Sequence, residues 1–85
     1  MIKPHKLYDR IKQGHYHNIN FDDFIRLIQQ LGFVYHHTTG SHRIFNHPTY
    51  KLLFNIQPDS NRNAKAAQVR ELQNIINKYT ITLGD

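Results

Sequence analysis

The chain lacks cysteine altogether, carries only six acidic residues among its 85, and contains no apolar run long enough to span a bilayer. The first absence excludes disulfides, cysteine-ligated zinc and a thiol nucleophile. The third, together with the lack of any stretch resembling a secretory signal, points away from the membrane and to the cytoplasm. Internal repeats and low-complexity tracts are also missing. At 85 residues the expectation is one domain spanning 1–85, with a modest core, since a chain of this size buries only about 60–65% of its unfolded surface. A composition of 39% hydrophobic and 12% aromatic residues is too apolar for a disordered chain. Against these six acids stand eleven Lys and Arg, for a net charge of +5. Such a balance attracts an anionic partner, nucleic acid first, although it also serves simply to keep a small domain in solution. Seven histidines add to the attraction wherever they take up protons near neutral pH.

Hydrophobic spacing divides the chain. "PHKLYDRIKQG" predicts a short helix with Leu7, Ile11 and Tyr8 on one side, closed by Gly14. "HYHNIN" reads as a linker, and Asn20 as the N-cap of a helix over "FDDFIRLIQQLG". There Asp22 and Asp23 place negative charge in the positive first turn, and Phe21, Phe24, Ile25, Ile28 and Leu31 define the buried face before Gly32 stops it. The period then becomes two. "FVYHHT", "HRIFNH" and "YKLLFNI" predict a three-stranded antiparallel meander, with turns at Thr39–Gly40–Ser41 and at His47–Pro48–Thr49. "QPDSNRN" ends the sheet. "AKAAQVRELQNIINKY" predicts a last helix with Val69, Leu72, Ile75, Ile76 and Tyr79 inward, and "TITLGD" a short extended tail. The expected fold is α+β, a two-layer sandwich with two helices on one face of a three-stranded antiparallel sheet, plus a short N-terminal helix. Residues 1–19 are an extension and 20–79 the core. One sheet face remains open.

The segment "TTGSHRIFNHP" holds the strongest candidate for chemistry. Gly40 permits a turn with positive φ, and His42 occupies the first strand position beyond it, at an exposed rim. A loop of Thr39 and Gly40 sets His37 opposite His42, whereas a loop of Gly40 and Ser41 sets Thr39 there, and both registers fit the sequence. Arg43 points to the opposite strand face. An imidazole titrating near neutrality can move the proton of an RNA 2′-hydroxyl attacking its adjacent phosphate, so no metal is required. Such a site needs cations to hold the phosphate, and Arg43, Lys51, Lys65 and Arg70 are candidates, with the Gly40–Ser41 turn offering hydrogen bonds.

The combination of "FDDFIRLIQQLGF", "GSHRIFNHP", "FNIQPD" and "AKAAQV" resembles the HicA family of bacterial toxins over roughly Phe21 to Tyr79. Its most specific element is Gly-Ser-His at 40–42 after a helix ending in Gly-Phe, followed by His-Pro at 47–48. The resemblance implies a double-stranded-RNA-binding-domain-like fold, ribonuclease activity on mRNA, a catalytic histidine at His42, and neutralisation by a HicB-like antitoxin in a hetero-oligomer. Relatives carrying the "QPD" segment tend to have a proline and an aromatic where this chain has Ala66 and Ala67. The N-terminal "KLYDRIKQG" exceeds the shortest relatives.

Three other readings compete. The same scaffold serves as an RNA-binding module without catalysis, recognising duplex by shape and 2′-hydroxyls. It also serves as a protein-binding partner. A metal site among His36, His37, His42 and His47 is disfavoured, because no cysteine or acid lies in that stretch, the spacing matches no zinc pattern, and adjacent strand residues face opposite ways. His36, His37 and His47 read as polar strand and turn surface, with His37 the geometric candidate for the proton partner of His42. No role is assigned to His5, His15 or His17. Of the aromatics, one of Tyr35 and Phe45 is expected on the open sheet face.

Overall fold

The computed structural model describes residues 2–83. Its elements run α1 (Pro4–Lys12), α2 (Phe21–Gln30), β1 (Val34–Thr39), β2 (His42–His47), β3 (Leu52–Ile56) and α3 (Ala66–Tyr79). The arrangement is the expected α+β fold: an open antiparallel sheet in the order β1-β2-β3, with helices on one face.

Each helix begins and ends for a local reason. In α1, Pro4 sits where the missing N–H has no partner to lose, and Arg10 and Lys12 place positive charge at the negative end. Gly14, with φ +94°, carries the chain onward two residues beyond the helix. Asn20 caps α2 as expected, its side chain accepting from the Asp23 N–H at 3.1 Å. The buried stripe of α2 contains Phe21, Phe24, Leu27 and Ile28. Leu27 is absent from the predicted stripe, and Ile25, which was in it, is only partly buried. Helix α3 starts at Ala66, two residues later than the sequence suggests, with Lys65 as an N-cap that offers no side-chain bond.

The segments leading into α2 and α3 hold each other. Phe21 N–H donates to Arg62 O and Ala64 N–H to Ile19 O, while the Asp59 carboxylate accepts from the amides of Asn61 and Asn63. The "QPDSNRN" turn thus organises both helix starts.

In the sheet, Phe45 and His47 of β2 and Phe54 and Ile56 of β3 are buried beneath the helices. Alternation sends His42, Ile44, Asn46, Leu53 and Asn55 to the open face. Phe24 and Phe33 both pack on Phe54, joining the helix layer to the sheet. Two details depart from expectation. The second hairpin turns at Pro48–Lys51, because His47 belongs to β2, and Lys51 takes φ +55°. The β1–β2 ladder slips between Tyr35 and His37, making a bulge at His36.

Helix α1 packs against both α2 and α3. Leu7, Tyr8 and Ile11 are buried in the same cluster as the residues of α2, β2, β3 and α3. After Thr80, in the left-handed conformation, Ile81 turns back into the core, and its carbonyl accepts from Tyr8 Oη at 2.7 Å. Gly84 and Asp85, the end of the predicted tail, lie outside the described residues. Among the described residues no helix is long and apolar enough to cross a membrane.

Candidate functional site

The first hairpin closes on Gly40 and Ser41, with Gly40 at φ +60° and Thr39 paired to His42. This register decides between the two left open by the sequence. His37 pairs with Ile44, so it is not across from His42, and the expectation of His37 as proton partner is corrected. A one-residue difference in the loop moves the whole strand.

The neighbour of His42 comes instead from β3. Its Nδ1–H donates to Asn55 Oδ1 at 3.0 Å, because an amide oxygen only accepts. In the neutral ring, that bond puts the hydrogen on Nδ1 and the lone pair on Nε2. Beside it, Ser41 Oγ donates to Gln57 Oε1 at 3.2 Å, and the Gln57 backbone N–H donates to Gln68 Oε1 at 3.1 Å. Gln68 lies one turn into α3, its own N–H bonded to Lys65 O. A chain of polar contacts therefore links the hairpin tip, the end of β3 and the start of α3, where Lys65 sits. Asn55 and Gln57 escaped the sequence reading. A lone polar residue inside the apolar run "LLFNI" is the available signal, but connecting it to His42 requires the register of the second hairpin.

The other predicted residues are dispersed. Arg43 points to the helix side, its guanidinium 5.4 Å from the Phe21 ring centroid. Lys51 lies in the second hairpin turn, at the other end of β2 from His42. Arg70 rests on the Tyr16 ring at 5.3 Å, on a different flank of α3 from Gln68. Gly40 and Ser41 adjoin His42, Lys65 is tied to them only through Gln68 and Gln57, and Arg43, Lys51 and Arg70 do not join that cluster.

The remaining histidines of the segment differ from expectation. His47 is not turn surface: it is 5% exposed, its Nε2–H donates to Leu31 O at 2.9 Å, and its Nδ1 accepts from Tyr50 N–H at 3.4 Å. It closes the last turn of α2, with Phe33 edge-on at 5.0 Å. The bulge places His36 and His37 side by side, their Nδ1 atoms hydrogen-bonded, so strand alternation fails locally as an argument. Among the described residues no three metal-ligating side chains converge. Neither Tyr35 nor Phe45 faces the open side: Phe45 is buried, and Tyr35 pairs with it at the sheet edge, ring to ring at 5.7 Å.

No curated protein and no solved structure shows significant similarity to the chain. The helix, the Gly-Ser-His hairpin, the polar end of β3 and the start of α3 all lie within residues 21–78, which match the family model for the HicA toxin of bacterial toxin-antitoxin pairs, and the chain belongs to that family.

Proposed function

We propose that this toxin is a metal-independent endoribonuclease that cleaves mRNA with His42. The observation that carries the reading is the Nδ1–H bond to Asn55, which leaves Nε2 as the basic atom on an open sheet face. In this reading Nε2 accepts the proton of a ribose 2′-hydroxyl as that oxygen attacks the adjacent phosphorus, and the bond to the 5′-oxygen breaks. The protonated imidazole then returns the proton to the leaving oxygen. Ser41, the Gly40–Ser41 turn and Lys65 bind the reacting phosphate, while Arg43, Lys51 and Arg70 serve phosphates farther along the strand. The same face suits neutralisation by a HicB-like antitoxin with an acidic contact surface, because a cationic site buried without compensating charge costs several kcal/mol per ion.

The test is incubation of the purified chain with labelled single-stranded RNA in the presence of a chelator. Cleavage is expected, and His42→Ala should lower its rate by about 10²–10⁴-fold while keeping the parent's thermal unfolding midpoint. A folded His42→Ala that cuts as the parent does would remove His42 from the reaction. RNA shifted but left intact by the parent would support the non-catalytic binding module instead.

A further inference from the structure

We propose that the N-terminal segment forms a second part of the RNA-binding surface, a cationic trough leading from the start of α3 along α1 that holds the phosphates of a single strand. The inference takes RNA as the substrate from the reading above and adds a site built largely from residues 1–20, before the matched residues 21–78.

Three surface depressions lie end to end. One, at the start of α3, is lined by Tyr16, His17, Ala66, Ala67 and Arg70. The next, of about 540 Å³, shares His17 with the first and includes His15 and Arg10. The third shares Arg10 with the second and adds Lys3, His5 and Lys6. Every section carries basic side chains, and the shared residues make the series continuous. Residues 1–20 hold four Lys and Arg against one acid, so this quarter of the chain carries +3 of the net +5.

Two of the carboxylates nearby are engaged, while among the described residues Asp9 on α1 forms no ion pair and is outnumbered there by Lys3, Lys6, Arg10 and Lys12. Asp23, which lines the middle depression, is 8% exposed and paired with Arg26, and Asp22 meets Arg62 at 3.7 Å. Among the described residues, Lys3, Lys6, Arg10 and Arg70 form no ion pair. Cations spread along a line suit a polyanion better than a single small anion. The first depression contributes more than charge: Arg70 lies over the Tyr16 ring, whose hydroxyl is tied to Gln73, making a fixed planar platform of the kind on which bases stack. Ala66 and Ala67 keep its floor low. The trough begins at the start of α3, the same helix end that Gln68 ties through Gln57 to Ser41. That platform favours RNA over an acidic peptide.

The experiment measures equilibrium binding of labelled single-stranded RNA, about 12 nucleotides long, to the full chain carrying His42→Ala, so that cleavage does not enter. Adding Lys3→Gln, Lys6→Gln and Arg10→Gln, all exposed positions, is expected to weaken binding by roughly tenfold or more and to reduce the slope of log Kd against log salt by about 2. The charge-keeping set Lys3→Arg, Lys6→Arg and Arg10→Lys should bind as the parent does. Unchanged affinity and slope in the neutral variant would overturn the trough, as would a parent that binds polyglutamate but no RNA. Cleavage is scored separately on the unsubstituted chain. RNA held in the trough but never cut removes the ribonuclease reading alone, whereas RNA cut with trough-independent binding removes this inference alone.

Discussion

An imidazole acts as a base when one nitrogen is tied and the other is free to reach substrate. His42 and His47, on the same strand, show both possibilities. His47 has both nitrogens engaged, to Leu31 O and the Tyr50 amide, and is buried, so its chemistry is spent on structure. His42 has one engaged, to Asn55, and lies near the exposed hairpin tip. Under the proposed reaction, Asn55 is a positioning residue for His42. Asn55→Ala removes one orienting hydrogen bond of about 0.5–1.5 kcal/mol, so kcat for RNA cleavage should fall roughly tenfold, with KM and the unfolding midpoint near the parent's. Steady-state kinetics on a labelled oligonucleotide checks this; an unchanged kcat would mean that Asn55 does not orient His42. His42 stands out in sequence as a histidine beside a glycine turn, and the family resemblance, more than that pattern, singles it out as the candidate. Its partner was not legible, because the bond joins residues thirteen apart across the β2–β3 ladder, whose register the sequence does not give.

Among the elements, the junction of α2 and β2 turns on one glycine and one buried histidine. Gly32 has φ +103°, a conformation that favours glycine, and a Cβ built there would stand 2.7 Å from His47 Nε2. Gly32→Ala therefore strains the backbone and displaces the ring that bonds Leu31 O. Removing the ring by His47→Ala should cost about 2–4 kcal/mol through lost packing and an unsatisfied carbonyl. In a double-mutant cycle followed by urea unfolding, Gly32→Ala should cost less once His47→Ala is present, with a coupling of about 0.5–3 kcal/mol. Additive costs would show that the strain at Gly32 is independent of His47. Sequence periodicity conveyed the helices, the three strands and the Asn20 cap, because those follow from local spacing and local hydrogen bonds. It missed the bulge at His36 and the burial of His47, which arise only when the strands and α2 meet.

For the whole molecule the governing quantity is how little apolar surface a short chain can bury. A chain of 85 residues has a total stability of about 4–13 kcal/mol. Leu7, Tyr8 and Ile11 belong to the common core, and α1 is tied to the rest by Tyr8 Oη to Ile81 O and by Gln73 Nε2 to Ile11 O at 3.1 Å. Leu7→Ala should then cost about 2–5 kcal/mol, close to the effect of Leu72→Ala in α3, and should lower the denaturant midpoint in one cooperative transition. A separate early transition for Leu7→Ala would mark α1 as an appendage. The segment beyond the matched family region was the least legible part of the sequence, since its short helix has three apolar positions and its partners lie up to 73 residues away.

The bulge at His36 has a consequence for molecules in a crowd. β1 is an edge strand whose six residues are all exposed, and an edge of that kind offers a template for another chain's strand. A bulge in the middle breaks that template into two short stretches with different facing directions. A strand arriving from a second copy meets a matching ladder over only part of its length, so the geometry that sets His36 beside His37 also guards the sheet against uncontrolled growth.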